Sequence, residues 1–106
     1  MARYTHLFTT ADPVPQLRQS LAETLKSCDL NLVYEDSDYL VAQEKPGQVP
    51  YLQLATVEVL ITPPRLGKGE SKVDLIVKNE ELALQRNNHC QRVFEVVNQA
   101  ISEVDG

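Results

Sequence analysis

The chain of 106 residues lacks any apolar run long enough to cross a bilayer, which takes about twenty residues in helical form. It has only two cysteines, Cys28 and Cys90, and no C-x-x-C pair, so neither a disulfide framework nor a close-paired zinc site is expected. Its ten Lys and Arg are outnumbered by fifteen Asp and Glu, giving a net charge of −5. The basic residues form no stripe that would neutralise a phosphate backbone, which argues against nucleic acid as a partner. The N-terminal segment "MARYTHLFTTADPVPQ" has no apolar core of a secretory signal, so a cytoplasmic protein with reduced thiols is expected. Repeats and low-complexity tracts are also absent.

What is present fits one ordinary globular domain over residues 1–106, with 42% hydrophobic residues and one modest core. "RYTHLFTT" (3–10) mixes aromatic and aliphatic residues with threonine and predicts a strand. Asp12, Pro13 and Pro15 punctuate the chain. A helix from about 13 to 28 follows, with Val14, Leu17, Leu21, Leu25 and Cys28 on one face. "LNLVYE" (30–35) and "YLVAQE" (39–44) flank a polar turn and predict a hairpin. In "KPGQ" the proline–glycine pair suits a type II turn.

The next apolar run, "YLQLATVEVLI" (51–61), changes phase. Leu52 and Leu54 share one face, whereas Val57, Val59 and Ile61 would take the other. A β-bulge near Ala55 or Thr56 would reconcile them, as would a strand covered on both faces, one of them by a partner chain. "TPPRLGKGE" (62–70) reads as a loop. "SKVDLIVK" (71–78) alternates as a half-exposed strand should, and "LALQ" (82–85) is a candidate short strand. From His89 to about Glu103, the spacing of Cys90, Val93, Phe94, Val97, Ala100, Ile101 and Val104 predicts an amphipathic helix. Asn88 and Gln91 are placed to cap it.

The expected fold is therefore α+β: a curved antiparallel sheet of four to five strands with two helices packed on one face, in the order β-α-β-β-β-β-(β)-α. This order resembles in outline a shortened helix-grip arrangement. No motif in the chain names a family.

Candidate chemistry is sparse. Cys90 lies in the first turn of a helix, where the dipole can acidify a thiol. Its position on the apolar stripe points instead to burial, and no base or oxyanion donor accompanies it. His6, Cys28, His89 and Cys90 total four zinc ligands without zinc spacing. "LGKGES" lacks the full phosphate-loop pattern and joins two strands. "YEDSDY" concentrates carboxylates in a turn, which reads as solvated. Tyr4, Tyr34, Tyr39 and Tyr51 read as core-edge residues.

These observations predict no cofactor, no metal and no catalytic residue. The leading expectation is a non-catalytic interaction or assembly module, a homodimer or a binder of a protein partner. Val57 and Val59 are its apolar contact, and Arg65, Lys68 and Lys72 are a basic contact for an acidic partner. The alternative is a small-molecule-binding domain with an apolar pocket between the curved sheet and the C-terminal helix.

Overall fold

The computed structural model describes residues 1–65, 69–82 and 88–105. The described elements run β1 (Ala2–Thr10), α1 (Val14–Ser27), β2 (Leu30–Glu35), β3 (Tyr39–Glu44), a single 3₁₀ turn (Tyr51–Gln53), β4 (Thr56–Thr62), β5 (Ser71–Asn79) and α2 (His89–Asp105). The strands form one antiparallel sheet in the order β1-β5-β4-β3-β2. The first strand thus returns to pair with the last, and both helices pack on one face. The α+β arrangement is the expected one. The candidate strand 82–85 falls almost entirely outside the described residues.

Period-two alternation decides which face is covered. On β5, Ser71, Val73, Leu75, Val77 and Asn79 are buried, while Lys72, Asp74, Ile76 and Lys78 point the other way. Cross-strand register carries that choice across the sheet. Val57 lies opposite Val77, Val59 opposite Leu75 and Ile61 opposite Val73. Leu40 then meets Val59 and Ala42 meets Val57. Over this surface lie Leu17, Leu21, Ala22 and Leu25 of α1 and Cys90, Val97 and Ile101 of α2, making one contiguous core. Burying each large aliphatic side chain contributes about 1.5–3 kcal/mol, so this face holds the fold together.

The phase change in 51–61 has a different origin from the one expected. Pro50 precedes a 3₁₀ turn closed by hydrogen bonds from Gln53 N–H to the Pro50 carbonyl (2.9 Å) and from Leu54 N–H to the Tyr51 carbonyl (3.1 Å). The strand begins only at Thr56, so Leu52 and Leu54 never share a pleat with Val57. A proline's fixed φ starts a helical turn readily, which explains the break. The sheet's irregularity lies in β2 instead, between Leu32 and Tyr34.

The proline–glycine turn behaves as its residues require, with Gly47 at φ +106°. Asp29 also has positive φ (64°), just past the end of α1, where the chain reverses into β2. Its N–H bonds the Lys26 carbonyl at 3.2 Å, closing the helix end.

Candidate functional site

The site grows from the start of α2. Asn88 Oδ1 accepts the Gln91 N–H at 2.7 Å, one half of the expected reciprocal cap, while the Gln91 side chain donates to Glu95 instead (3.4 Å). Asn88 Nδ2 donates to the Tyr4 hydroxyl of β1 at 2.9 Å, which ties the helix start to the sheet edge. A second capping group comes from outside the helix. Glu81 accepts the Cys90 N–H on Oε1 (2.9 Å) and the His89 N–H on Oε2 (3.2 Å), and Asn79 Nδ2 donates to the same Oε1. Burial alone pushes the Glu81 carboxyl up. The donors Asn79, Cys90 and His89 outweigh that and hold it below the usual carboxylate range.

Cys90 is fully buried, as its place on the apolar stripe implied. Its thiol faces the Val77 carbonyl at 3.4 Å. Burial first, then the nearby carboxylates of Glu81 and Glu44, raise its pKa to about 11. Desolvation thus overrides the helix dipole, and the thiol stays protonated at neutral pH. Burial also raises the Cys28 thiol.

His89 points off the stripe toward the end of β3. Its Nε2 lies 2.6 Å from Glu44 Oε1, and both side chains are only about one-sixth exposed, at 15% and 16%. The same Glu44 oxygen accepts the Ala55 N–H at 2.9 Å. Glu44 thereby links the last residue of β3, the residue before β4 and the first residue of α2.

Beside this pair opens a cavity of about 380 Å³. Val93, Val96 and Val97 of α2 form an apolar wall, and Cys28 and Asp29 of the α1–β2 turn face them. Glu44, Lys45 and His89 supply polar groups at the rim, where Lys45 also pairs with Asp29 at 3.7 Å. The arrangement can hold a small molecule with one apolar side and one polar end. A second hollow, about 460 Å³, lies beside the 3₁₀ turn. It is lined in part by Asn31, Gln43, Thr56 and Lys78, from the sheet face away from the helices, and by the exposed Tyr51.

The sequence-predicted contact residues fall elsewhere. Val57 and Val59 have no exposed surface and lie in the core beneath the helices. They are packing residues, because the register that pairs them with Val77 and Leu75 turns them inward. Lys72 is exposed on β5 opposite Thr62, and Arg65 is exposed in the following connection. Both sit at the far end of β4 from Glu44, about 20 Å away at strand rise. Lys68 lies outside the described residues.

The carboxylates of "YEDSDY" form a turn, with Asp36 Oδ1 accepting the Ser37 N–H (2.7 Å) and Asp36 Oδ2 accepting the Tyr34 hydroxyl (3.2 Å). Among the described residues, no three His, Cys, Asp or Glu side chains converge on a point that would hold a metal ion. His6 stacks on Phe8 instead, and His89 is engaged by Glu44.

Glu44 and Glu81 were not singled out in sequence. Each reaches α2 from outside the helix, Glu44 from 45 residues away and Glu81 from eight or nine, at separations that no local pattern specifies.

The topology is that of an α+β fold, one five-stranded antiparallel sheet with both helices on one face, and its element order resembles the shortened helix-grip outline expected. No protein-family model and no curated protein matches the sequence. Among solved structures it is similar to the crystal structure of Ara h 8.0201, at 12% identity over 99% of this chain and 97% of that one, with a TM-score of 0.44.

Proposed function

We propose that the protein is a non-catalytic domain that binds a small amphipathic molecule in the cavity between α2 and the β3 end of the sheet. The cavity itself carries this reading. Its volume of about 380 Å³ is of the size that small-molecule sites occupy, and it joins a valine wall to a few convergent polar groups. Burial raises both thiols, Cys90 to about 11, which disfavours either as a cysteine nucleophile. The buried positions of Val57 and Val59 remove the reason for placing a partner on strand 51–61.

The test is a fluorescence titration with 1-anilinonaphthalene-8-sulfonate, a probe with an apolar ring system and an anionic head. Wild type is expected to bind one equivalent saturably. Val96 is 58% exposed at the cavity wall, so Val96→Phe adds a ring at the mouth without overfilling the core. That variant should weaken binding at least tenfold while its circular dichroism and melting midpoint stay unchanged. No saturable binding to folded wild type, or equal binding to both proteins, would refute the reading.

A further inference from the structure

We propose that two copies of this chain associate through β1, pairing their first strands antiparallel about a two-fold axis to make one continuous ten-stranded sheet. The two edges of the sheet are unequally defended. β2 has six residues, is interrupted by the irregularity between Leu32 and Tyr34, and ends in the acidic run Glu35, Asp36 and Asp38. Arg18 of α1 also reaches Glu35 there. Bulges, shortness and charge are the devices by which sheet edges avoid pairing with other chains.

β1 is neither short nor bulged, and it carries little charge. It runs nine residues, holds register with β5 without a break from Ala2–Asn79 to Thr10–Ser71, contains no proline and carries one formal charge, on Arg3. Among the described strands, its other side is the end of the sheet. Among the described residues, no other element bonds the backbone of residues 3–9. The N–H and C=O groups that point outward there form a template for one more strand.

Self-pairing is what this edge suits. Residues 5–9 serve both sides, so the contact closes on itself and leaves only the two defended β2 edges at the ends of the assembly. Antiparallel pairing also separates the single charges, sending Arg3 of the two copies to opposite ends of the ribbon. In the register centred on Leu7, Thr5 meets the partner's Thr9 and Leu7 meets the partner's Leu7 on the outer face. On the helix side, His6 meets the partner's Phe8. Such β-branched, aliphatic and aromatic cross-strand pairs are the favourable kind. Leu7, 56% exposed at the middle of this edge, would then lie against its own copy.

The proposal is tested by sedimentation equilibrium on the full chain from about 10 to 300 μM. Wild type should show twice the chain mass of 11.9 kDa. Leu7→Lys places an ammonium opposite Asp74 within its own sheet, which suits the monomer, but brings two like charges together at the two-fold axis. It should raise the dimer dissociation constant at least a hundredfold with circular dichroism unchanged and a melting midpoint that no longer depends on concentration. Leu60→Lys alters the same outer face on β4, away from the edge, and should leave the dimer intact. A monomeric wild type at all concentrations, a dimer that survives Leu7→Lys, or one that Leu60→Lys dissociates equally would each overturn the proposal. None of these outcomes bears on probe binding at the α2 cavity.

Discussion

Replacing Glu81 by alanine removes the acceptor for two backbone N–H groups at the start of α2, those of His89 (3.2 Å) and Cys90 (2.9 Å). Losing a helix-capping side chain costs about 1–2 kcal/mol. Losing the favourable charge at the positive end of the helix dipole adds about 0.5–1 kcal/mol. The expected destabilisation is therefore about 1.5–3 kcal/mol at pH 7, a large part of the roughly 5–15 kcal/mol that holds a domain of this size. Glu81→Gln keeps a neutral acceptor and should cost about 1 kcal/mol.

The pH dependence has a definite sign. Because the folded state holds the Glu81 carboxyl below its unfolded pKa of about 4.3, the stabilisation is complete above that pH. It is lost as pH falls through the lowered folded value. Urea denaturation followed by circular dichroism should thus show wild type and Glu81→Gln well separated at pH 7 and converging below about pH 4. A loss under about 0.5 kcal/mol for Glu81→Ala, or a gap between wild type and Glu81→Gln that does not narrow in acid, would refute this account of the α2 cap.

Changing Val57 and Val59 together to threonine puts two hydroxyls into a fully buried face and should cost about 2–5 kcal/mol in urea denaturation, with loss of the fold preceding any change in association. Gly47→Ala has open space for its Cβ but must hold φ +106°, so a loss of about 1 kcal/mol in the same assay is expected from backbone strain alone. Glu44→Ala strands the Ala55 N–H and leaves His89 without its carboxylate. It should cost about 1–3 kcal/mol and shift the NMR signals of both residues. Cys90, buried and protonated, should react with a disulfide reagent only as fast as the protein unfolds, measured as labelling that accelerates with denaturant.

The strands and helices were readable wherever one face of an element is buried and the other is not. β5 shows this best: its valines and leucine alternate with Lys72, Asp74 and Lys78 because the helices cover only one side of the pleat. α2 is equally plain, with Cys90, Val97 and Ile101 buried at helical spacing. The segment before β4 misled because Leu52 and Leu54 look like strand residues, whereas Pro50 and the closing hydrogen bonds of a 3₁₀ turn set their backbone. Val57 and Val59 were recognisably apolar in sequence. Whether their face met helices or another chain depended on cross-strand register, which hydrophobic pattern alone does not assign to a particular covering layer.

The amino-acid sequence by itself determined both helices, the strands other than the start of β4, the single core, the Asn88 cap and the inward position of Cys90, since each follows from periodicity or side-chain hydrogen bonding within a few residues. Only the tertiary structure decided that Glu44 meets His89, 45 residues away, that Glu81 caps α2 across the intervening chain, and that a cavity opens beside them. It also decided that β1 lies at an edge, because strand order is set by how β5 returns to pair with β1 and not by any property of "ARYTHLFTT" taken alone. Local pattern fixes what each segment becomes; contacts between distant segments depend on how the chain closes upon itself.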